Sequence, residues 1–190
     1  MKNLGMVGIR SVYNRYLQAH EDNGELHASN PNRNEEETWF LVDLEVDEND
    51  PNSYAIYNWK NGQFLSKVDA QCARANSTTL SGPQTWNMIL GQDYGVLNAV
   101  AFQSAIDGAF LGTEAPGNDT DCGGEVAAFD KNGPPVANGQ WPGWWVLSPA
   151  TEPTAGKDPW NIVGGYVEGI LNKVTPADIV KLIAALGGGD

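Results

Sequence analysis

The sequence predicts an all-β fold in which about twelve short strands form three repeats closed into a barrel. Apolar residues alternate with other residues, as at Val7 and Ile9, and this period of two is typical of half-buried strands. Turn-forming pairs such as Asn23-Gly24 and Asn61-Gly62 separate the strands. Three similar units of four strands therefore favour a sheet that closes on itself.

Each repeat contains an alternating strand, an aromatic-leucine pair, a second apolar strand and a tryptophan. Leu17 and Leu65 lie 48 positions apart, and Leu65 and Leu111 lie 46 apart, a nearly constant period that indicates repeated units. Large apolar side chains that recur at equivalent positions are expected to form the core. The predicted anchors are Tyr16-Leu17 and Trp39, then Phe64-Leu65 and Trp86, then Phe110-Leu111 with Trp144 or Trp145.

In the first and third repeats, the aromatic-leucine pair is followed by a Gly-x-Leu/Val-x-Ala strand entry, at Gly24 to Ala28 and at Gly124 to Ala128. This order of elements resembles the β-trefoil of the fascin-like family, which is related in fold to ricin-B-type lectins. The resemblance covers about residues 5 to 149. It implies one β-trefoil domain over residues 1–149, with three pseudo-repeats of four strands in lobes at about 1–48, 49–93 and 94–149.

The composition changes after the third repeat. Residues 150–158 are a Pro- and Gly-bearing linker, and 159–190 are expected to form a C-terminal α-helical hairpin. Asp158-Pro159 is typical of a helix start, and Thr175-Pro176 begins a second helix. The apolar faces of these helices are expected to pack on the barrel or to form a homo-oligomer interface.

Charge and motifs limit the possible functions. The chain has 24 acidic and 11 basic residues, a net charge of −13, so neither nucleic acid nor an anionic membrane is an expected partner. The N-terminal residues contain no apolar signal segment, so we expect a cytoplasmic protein unless a leader has been removed. In a reducing compartment Cys72 and Cys122 are expected to be free thiols.

The sequence contains no recognisable catalytic motif, and we expect a binding protein that is not an enzyme and needs no cofactor or metal ion. His20 and His27 flank the first hairpin and would be cross-strand neighbours across a tight turn. Such a pair could form a weak metal or proton site, but the polar residues at equivalent positions of the other repeats favour a solvent-facing hairpin.

Proteins of similar fold bind sugars in shallow pockets at the hairpins of each lobe, so the resemblance implies a lectin-like carbohydrate-binding function. Trp59, at a hairpin tip, could be an exposed stacking platform or pack on a neighbouring lobe, and Trp141 could line a groove or cover the barrel end. Alternative partners are actin or another protein, and a protease bound by the third-repeat insertion. The predicted ligand-binding residues are His20, Asp22, Asn23, His27, Trp59, Asp69, Arg74, Asn118, Asp119 and Trp141.

Overall fold

The computed structural model of the protein describes residues 2–44, 53–129 and 141–150. Short turns and two 3-10 helices, Gly82–Gln84 and Gly91–Tyr94, join the strands within these ranges. The strands are β1 (Lys2–Ser11), β2 (Tyr16–Ala19), β3 (Leu26–Asn30), β4 (Thr38–Asp43), β5 (Ser53–Asn58), β6 (Gln63–Lys67), β7 (Ala73–Ser77), β8 (Trp86–Leu90), β9 (Val100–Ser104), β10 (Phe110–Thr113), β11 (Val126–Phe129) and β12 (Trp145–Pro149).

Six of these strands close into a barrel. Strand β1 pairs with β12 and β4, β4 pairs with β5, β5 with β8, β8 with β9, and β9 with β12, all antiparallel. The ring gives each of the six strands two neighbours, which removes the exposed edges that an open sheet would have. The predicted all-β barrel is therefore confirmed.

The remaining strands form three hairpins, β2–β3, β6–β7 and β10–β11, here called the first, second and third hairpins. Strands β3, β7 and β11 of these hairpins contact one another. Backbone bonds join them, since Gly24 O accepts from Ala75 N at 2.8 Å and Gln71 O accepts from Ala128 N at 2.9 Å. A six-stranded barrel with three associated hairpins is the β-trefoil arrangement, as predicted.

The repeated tryptophans are buried in the core and make the same hydrogen bond in each repeat. Each indole N–H donates to the backbone oxygen of the leucine in the aromatic-leucine pair of the same repeat, so burial leaves its polar atom satisfied. Of the two candidates in the third repeat, Trp145 occupies this position. The bonds run from Trp39 to Leu17 (2.8 Å), from Trp86 to Leu65 (3.0 Å) and from Trp145 to Leu111 (2.9 Å).

The predicted helical hairpin at 159–190 and nearly all of the 150–158 linker lie outside the described residues, as does any oligomer interface that the helices would form. In the part of the chain that the structure describes, no helix has the length and apolar character needed to cross a membrane.

Tyr54 in β5 makes the stability of the protein sensitive to alkaline pH. Burial, with a smaller contribution from the Asp43 carboxylate, raises the pKa of its phenol from 10.0 to about 12. Because the pKa is higher in the folded protein, this stabilisation is complete below about pH 10 and is lost as the pH rises through about 12. Over this pH range we expect ionisation of the Tyr54 phenol to lower the free energy of unfolding by about 2–3 kcal/mol.

Denaturant titrations at pH 10 and pH 12 measure this loss. The free energy of unfolding of the Tyr54→Phe variant should fall by correspondingly less between these two pH values. Tyr13→Phe, which removes a phenol that is 38% exposed, is the control. Equal losses of stability in the parent protein and the Tyr54→Phe variant would contradict the assignment.

Candidate functional site

A cleft of about 450 Å³ opens between the second and third hairpins, and we call it the hairpin cleft. One wall comes from the turn before β7, and the others come from the end of β10, the start of β11 and the loop between them. Most of the side chains that line it can form hydrogen bonds. The lining residues are Gln71, Glu114, Asn118, Asp119, Thr120, Asp121, Cys122 and Ala127.

Thr120 closes the loop between β10 and β11 on itself. Its backbone N–H donates to Gly124 O at 2.7 Å, and its hydroxyl donates to the same oxygen at 3.0 Å. The hydroxyl also accepts from Cys122 N at 3.3 Å. These bonds occupy the polar groups of the loop interior, while the carboxylates of Asp119 and Asp121 stay exposed at the cleft.

A disulfide between Cys72 and Cys122 crosses from the second hairpin to the third-hairpin loop, so the expectation of free thiols was wrong. The two Cα atoms lie 5.3 Å apart, within the range that a disulfide spans. The expectation rested on a reducing compartment alone, whereas the threefold fold brings neighbouring hairpins together and places the two cysteines within bonding distance. The bridge fixes one wall of the hairpin cleft against the other.

Polar contacts of Arg74 and His27 also join the three hairpins. Arg74 in β7 donates to the backbone oxygen of Cys122 at 3.0 Å and lies 3.6 Å from the Glu25 carboxylate of the first hairpin. Nδ1 of His27 lies 3.0 Å from the Glu125 carboxylate, which also accepts from Ala28 N at 3.3 Å. Arg74 and His27 were predicted as ligand-binding residues, but the described contacts use both of them to join hairpins.

Asp69 shapes the turn that carries Gln71 to the cleft. Its carboxylate accepts from the backbone N–H groups of Gln71 at 3.0 Å and of Cys72 at 2.9 Å. These two bonds are the main cause that lowers the pKa of the Asp69 carboxyl, since they stabilise its charged form. Asp69 therefore positions a lining residue and does not itself line the hairpin cleft.

The predicted residues of the first hairpin lie apart from the hairpin cleft. The rings of His20 and His27 are 6.3 Å apart, but they are not directly opposite, because His27 pairs with Gln18. Asn23 accepts from the backbone of Glu25 at 3.0 Å and shapes the turn, next to the exposed Asp22. Among the described residues, no group of three or more His, Cys, Asp or Glu side chains could hold a metal ion.

Trp59 and Trp141 are buried, and the hypotheses that they stack on a ligand or line a groove were wrong. Trp59 is 4% exposed, and its ring centre lies 5.5 Å from that of Phe40 in the neighbouring repeat. Trp141 is 6% exposed and packs edge-on against Phe110 and Trp144. Burial of each ring against other aromatic side chains is more favourable in free energy than exposure of the ring to water at a turn.

Of the ten predicted residues, Asn118 and Asp119 line the hairpin cleft. Sequence reasoning missed the structural importance of Thr120 and of the disulfide. The separation of 50 residues between Cys72 and Cys122 is close to the repeat period, and this signal could have placed them on adjacent hairpins. The hydroxyl of Thr120 had no such signal, because its role depends on the folded shape of one loop.

The charge of the hairpin cleft disfavours anionic ligands. Glu114, Asp119 and Asp121 contribute carboxylates to the lining, and none of the described lining residues is basic. An anionic ligand would meet like charges here, whereas hydroxyl groups could donate to carboxylate and amide oxygens.

No protein-family model matches this chain, and no curated protein matches it. Solved β-trefoil-like structures do match. The designed threefold-symmetric protein ThreeFoil has 16% identity and a TM-score of 0.56, over 75% of this chain and 97% of its own. SeviL bound to asialo-GM1 saccharide has 13% identity and a TM-score of 0.57, over 77% of this chain and 98% of its own.

The cytolethal distending toxin from Actinobacillus actinomycetemcomitans has 15% identity and a TM-score of 0.59, over 80% of this chain and 97% of the matched chain. At these identities the similarity defines the fold alone. The chain is therefore a β-trefoil protein.

Proposed function

We propose that the protein is a non-catalytic, lectin-like protein that binds a neutral glycan in the hairpin cleft. The observation that carries this proposal is the convergence of amide and carboxylate groups from two hairpins on one cleft of about 450 Å³. Sugars present many hydroxyl groups, and a carboxylate acceptor strengthens each hydrogen bond that it receives.

The hairpin cleft is held in shape before any ligand arrives. The disulfide fixes Cys122 relative to the second hairpin, and the Thr120 bonds fix the loop that carries Asn118 and Asp119. Such preorganisation reduces the entropy that a ligand must offset on binding. This preorganisation supports a binding role for the hairpin cleft, which is polar and open to solvent.

The saccharide bound to SeviL, a structure with the same fold, supports a glycan as the ligand class. The three carboxylates of the lining would select against anionic glycans, because they would repel the charge of sialic acid or sulfate. We therefore infer a neutral or amino sugar at the hairpin cleft.

The disulfide bears on where binding takes place. Disulfides persist in oxidising compartments and are rare in the cytosol, so the Cys72–Cys122 bridge weighs against the predicted cytoplasmic location. An extracellular glycan is the ligand source that this chemistry favours.

Actin binding and protease inhibition stay predictions. Part of the insertion assigned to inhibition, residues 130–140, lies outside the described residues. The net charge of −13 would also oppose association with an acidic filament. The contacts of the described residues favour the glycan hypothesis over both alternatives.

Replacing Asp119 by alanine should weaken binding of a neutral glycan by about tenfold or more, because a charged acceptor is lost from the hairpin cleft. A glycan array with the full chain identifies the ligand, and calorimetry with the parent and variant proteins measures the loss. Sialylated versions of the same glycans are expected to bind more weakly than their asialo counterparts.

Asp22→Ala is the matched control, because it removes the same charge from an exposed position on the first hairpin that does not line the cleft. It should bind the glycan as the parent does. Glycan binding that responds equally to both substitutions, or an array without any bound glycan, would refute the proposed site.

A further inference from the structure

One position in the second strand of each hairpin, here called the junction position, is occupied by a different residue in each repeat. The strand registers define it, because in every hairpin this residue pairs with the residue that directly follows the repeated leucine. The same register places the three side chains on the same face of their hairpins. The pairs are His27 with Gln18, Arg74 with Ser66, and Ala127 with Gly112.

In two of the three hairpins the junction position carries a basic side chain that contacts a carboxylate of a neighbouring hairpin. Arg74 lies 3.6 Å from the Glu25 carboxylate, and Nδ1 of His27 lies 3.0 Å from the Glu125 carboxylate. The two glutamates are equivalent as well, since each directly precedes the first residue of β3 or β11. A polar pair of side chains therefore fills the same place between hairpins twice.

The contact between the second and third hairpins lacks this pair. Its junction position is Ala127, and the residue that directly precedes β7, equivalent to the two glutamates, is Cys72. Ala127 ends at its Cβ atom and has no group that could bond across the contact, while Cys72 forms the disulfide with Cys122. Ala127 and Cys122 both line the hairpin cleft. By this equivalence, the hairpin cleft takes the place of a polar pair.

The backbone does not distinguish the open contact from a filled one. Gly24 O accepts from Ala75 N at 2.8 Å between the first and second hairpins, and Gln71 O accepts from Ala128 N at 2.9 Å between the second and third. Each donor directly follows the junction position of its strand. Because the same backbone bond joins both pairs of hairpins, the open space at the hairpin cleft is a property of the side chains.

We propose that Ala127 sets the number of glycan sites at one per chain, by leaving open one of three equivalent contacts between hairpins. This inference rests on the proposed glycan binding and adds to it the stoichiometry and the residue that determines it. The other two contacts bind no glycan, because the side chains of Arg74 and His27 already occupy the space and bond to the carboxylates. A single chain is then a monovalent lectin.

Replacing Ala127 by arginine should weaken glycan binding by about tenfold or more, because the longer side chain would fill the hairpin cleft. Its guanidinium would also pair with the carboxylates of the lining, Glu114, Asp119 and Asp121, and so compete with sugar hydroxyls for the same acceptors. Calorimetry with the full chain measures the loss. The probe is the neutral glycan that gives the parent protein its strongest signal on the array.

Two control variants separate the filling of the cleft from other effects. Ala105→Arg adds the same charge at an exposed position that does not line the hairpin cleft, and it should bind as the parent does. Ala127→Ser changes the same position but adds only one oxygen atom, so the cleft stays open and binding should persist. Urea titration of Ala127→Arg should give an unfolding midpoint close to that of the parent, because the other two junction positions hold long basic side chains.

The parent protein tests the number of sites without any substitution. The calorimetric stoichiometry should be one glycan per chain, whereas two or three glycans per chain would overturn the inference. It would also be overturned if Ala127→Arg bound as the parent does, or if Ala105→Arg weakened binding equally. In each of these cases a loss of binding in Asp119→Ala would leave the proposed glycan site standing. Only a parent protein without any glycan binding would refute the proposed function and this inference together.

Discussion

Replacing Gly24 by alanine is expected to destabilise the protein by more than about 3 kcal/mol, because backbone strain and a clash combine. Gly24 has a φ of +68°, and a Cβ atom there would lie 2.1 Å from the backbone oxygen of Ala75. That oxygen belongs to the second hairpin, and Ala75 N is itself bonded to Gly24 O at 2.8 Å. Neither backbone can move without separating two hairpins.

Gly95→Ala separates the two causes. Gly95 has a similar φ of +76°, but a Cβ atom there would meet nothing within 4 Å. This variant should lose only about 1–2 kcal/mol, the cost of a left-handed conformation with a side chain. Urea titrations of both variants measure the difference, and equal losses would show that the contact between the hairpins is looser than the structure indicates.

The barrel and its threefold organisation could be predicted because the same physical requirement recurs in each repeat. A tryptophan buried at each equivalent position needs an acceptor, and the leucine backbone of the same repeat supplies it. The repeated Gly-Glu entry also has a structural cause. Gly24 approaches Ala75 of the second lobe, and a Cβ at Gly124 would lie 2.3 Å from Leu26 O of the first.

The candidate site was predicted less well, because its residues depend on contacts between lobes. Trp59 was predicted to lie at a hairpin tip, but the side-chain amide of the adjacent Asn58 donates to Glu36 O at 2.8 Å, 22 positions away in the sequence. Trp59 then packs on Phe40, and its ring is unavailable to a ligand. A turn motif predicts local backbone shape, whereas the exposure of its side chains is decided by distant residues.

The lining of the hairpin cleft could also be predicted only in part from the sequence. Asn118 and Asp119 could be proposed because they are polar residues in an insertion, and loops on a rigid scaffold often carry function. Gln71, which lies opposite them, belongs to another lobe and is placed by the carboxylate of Asp69. Only the closed fold brings the two sets together, so the sequence predicts part of the lining and not its shape.

Replacing both Cys72 and Cys122 by serine is expected to lower the free energy of unfolding by about 4 kcal/mol. The bridge closes a loop of 50 residues, and losing this constraint increases the entropy of the unfolded chain. The loop that carries Thr120 would also lose its covalent link to the second hairpin, so glycan binding should weaken together with stability. Both changes have one cause, because the bridge forms a wall of the hairpin cleft.

Urea titrations and glycan calorimetry of the parent protein, with and without reductant, provide the test. Reductant should bring the parent to the stability of the double-serine variant and should leave the variant unchanged, which separates the bridge from side effects of serine. Cys122 is 4% exposed, so a native protein with reduced cysteines should react slowly with thiol reagents at this position. Equal unfolding midpoints with and without reductant would contradict a stabilising bridge, because breaking it would then release no constraint on the chain.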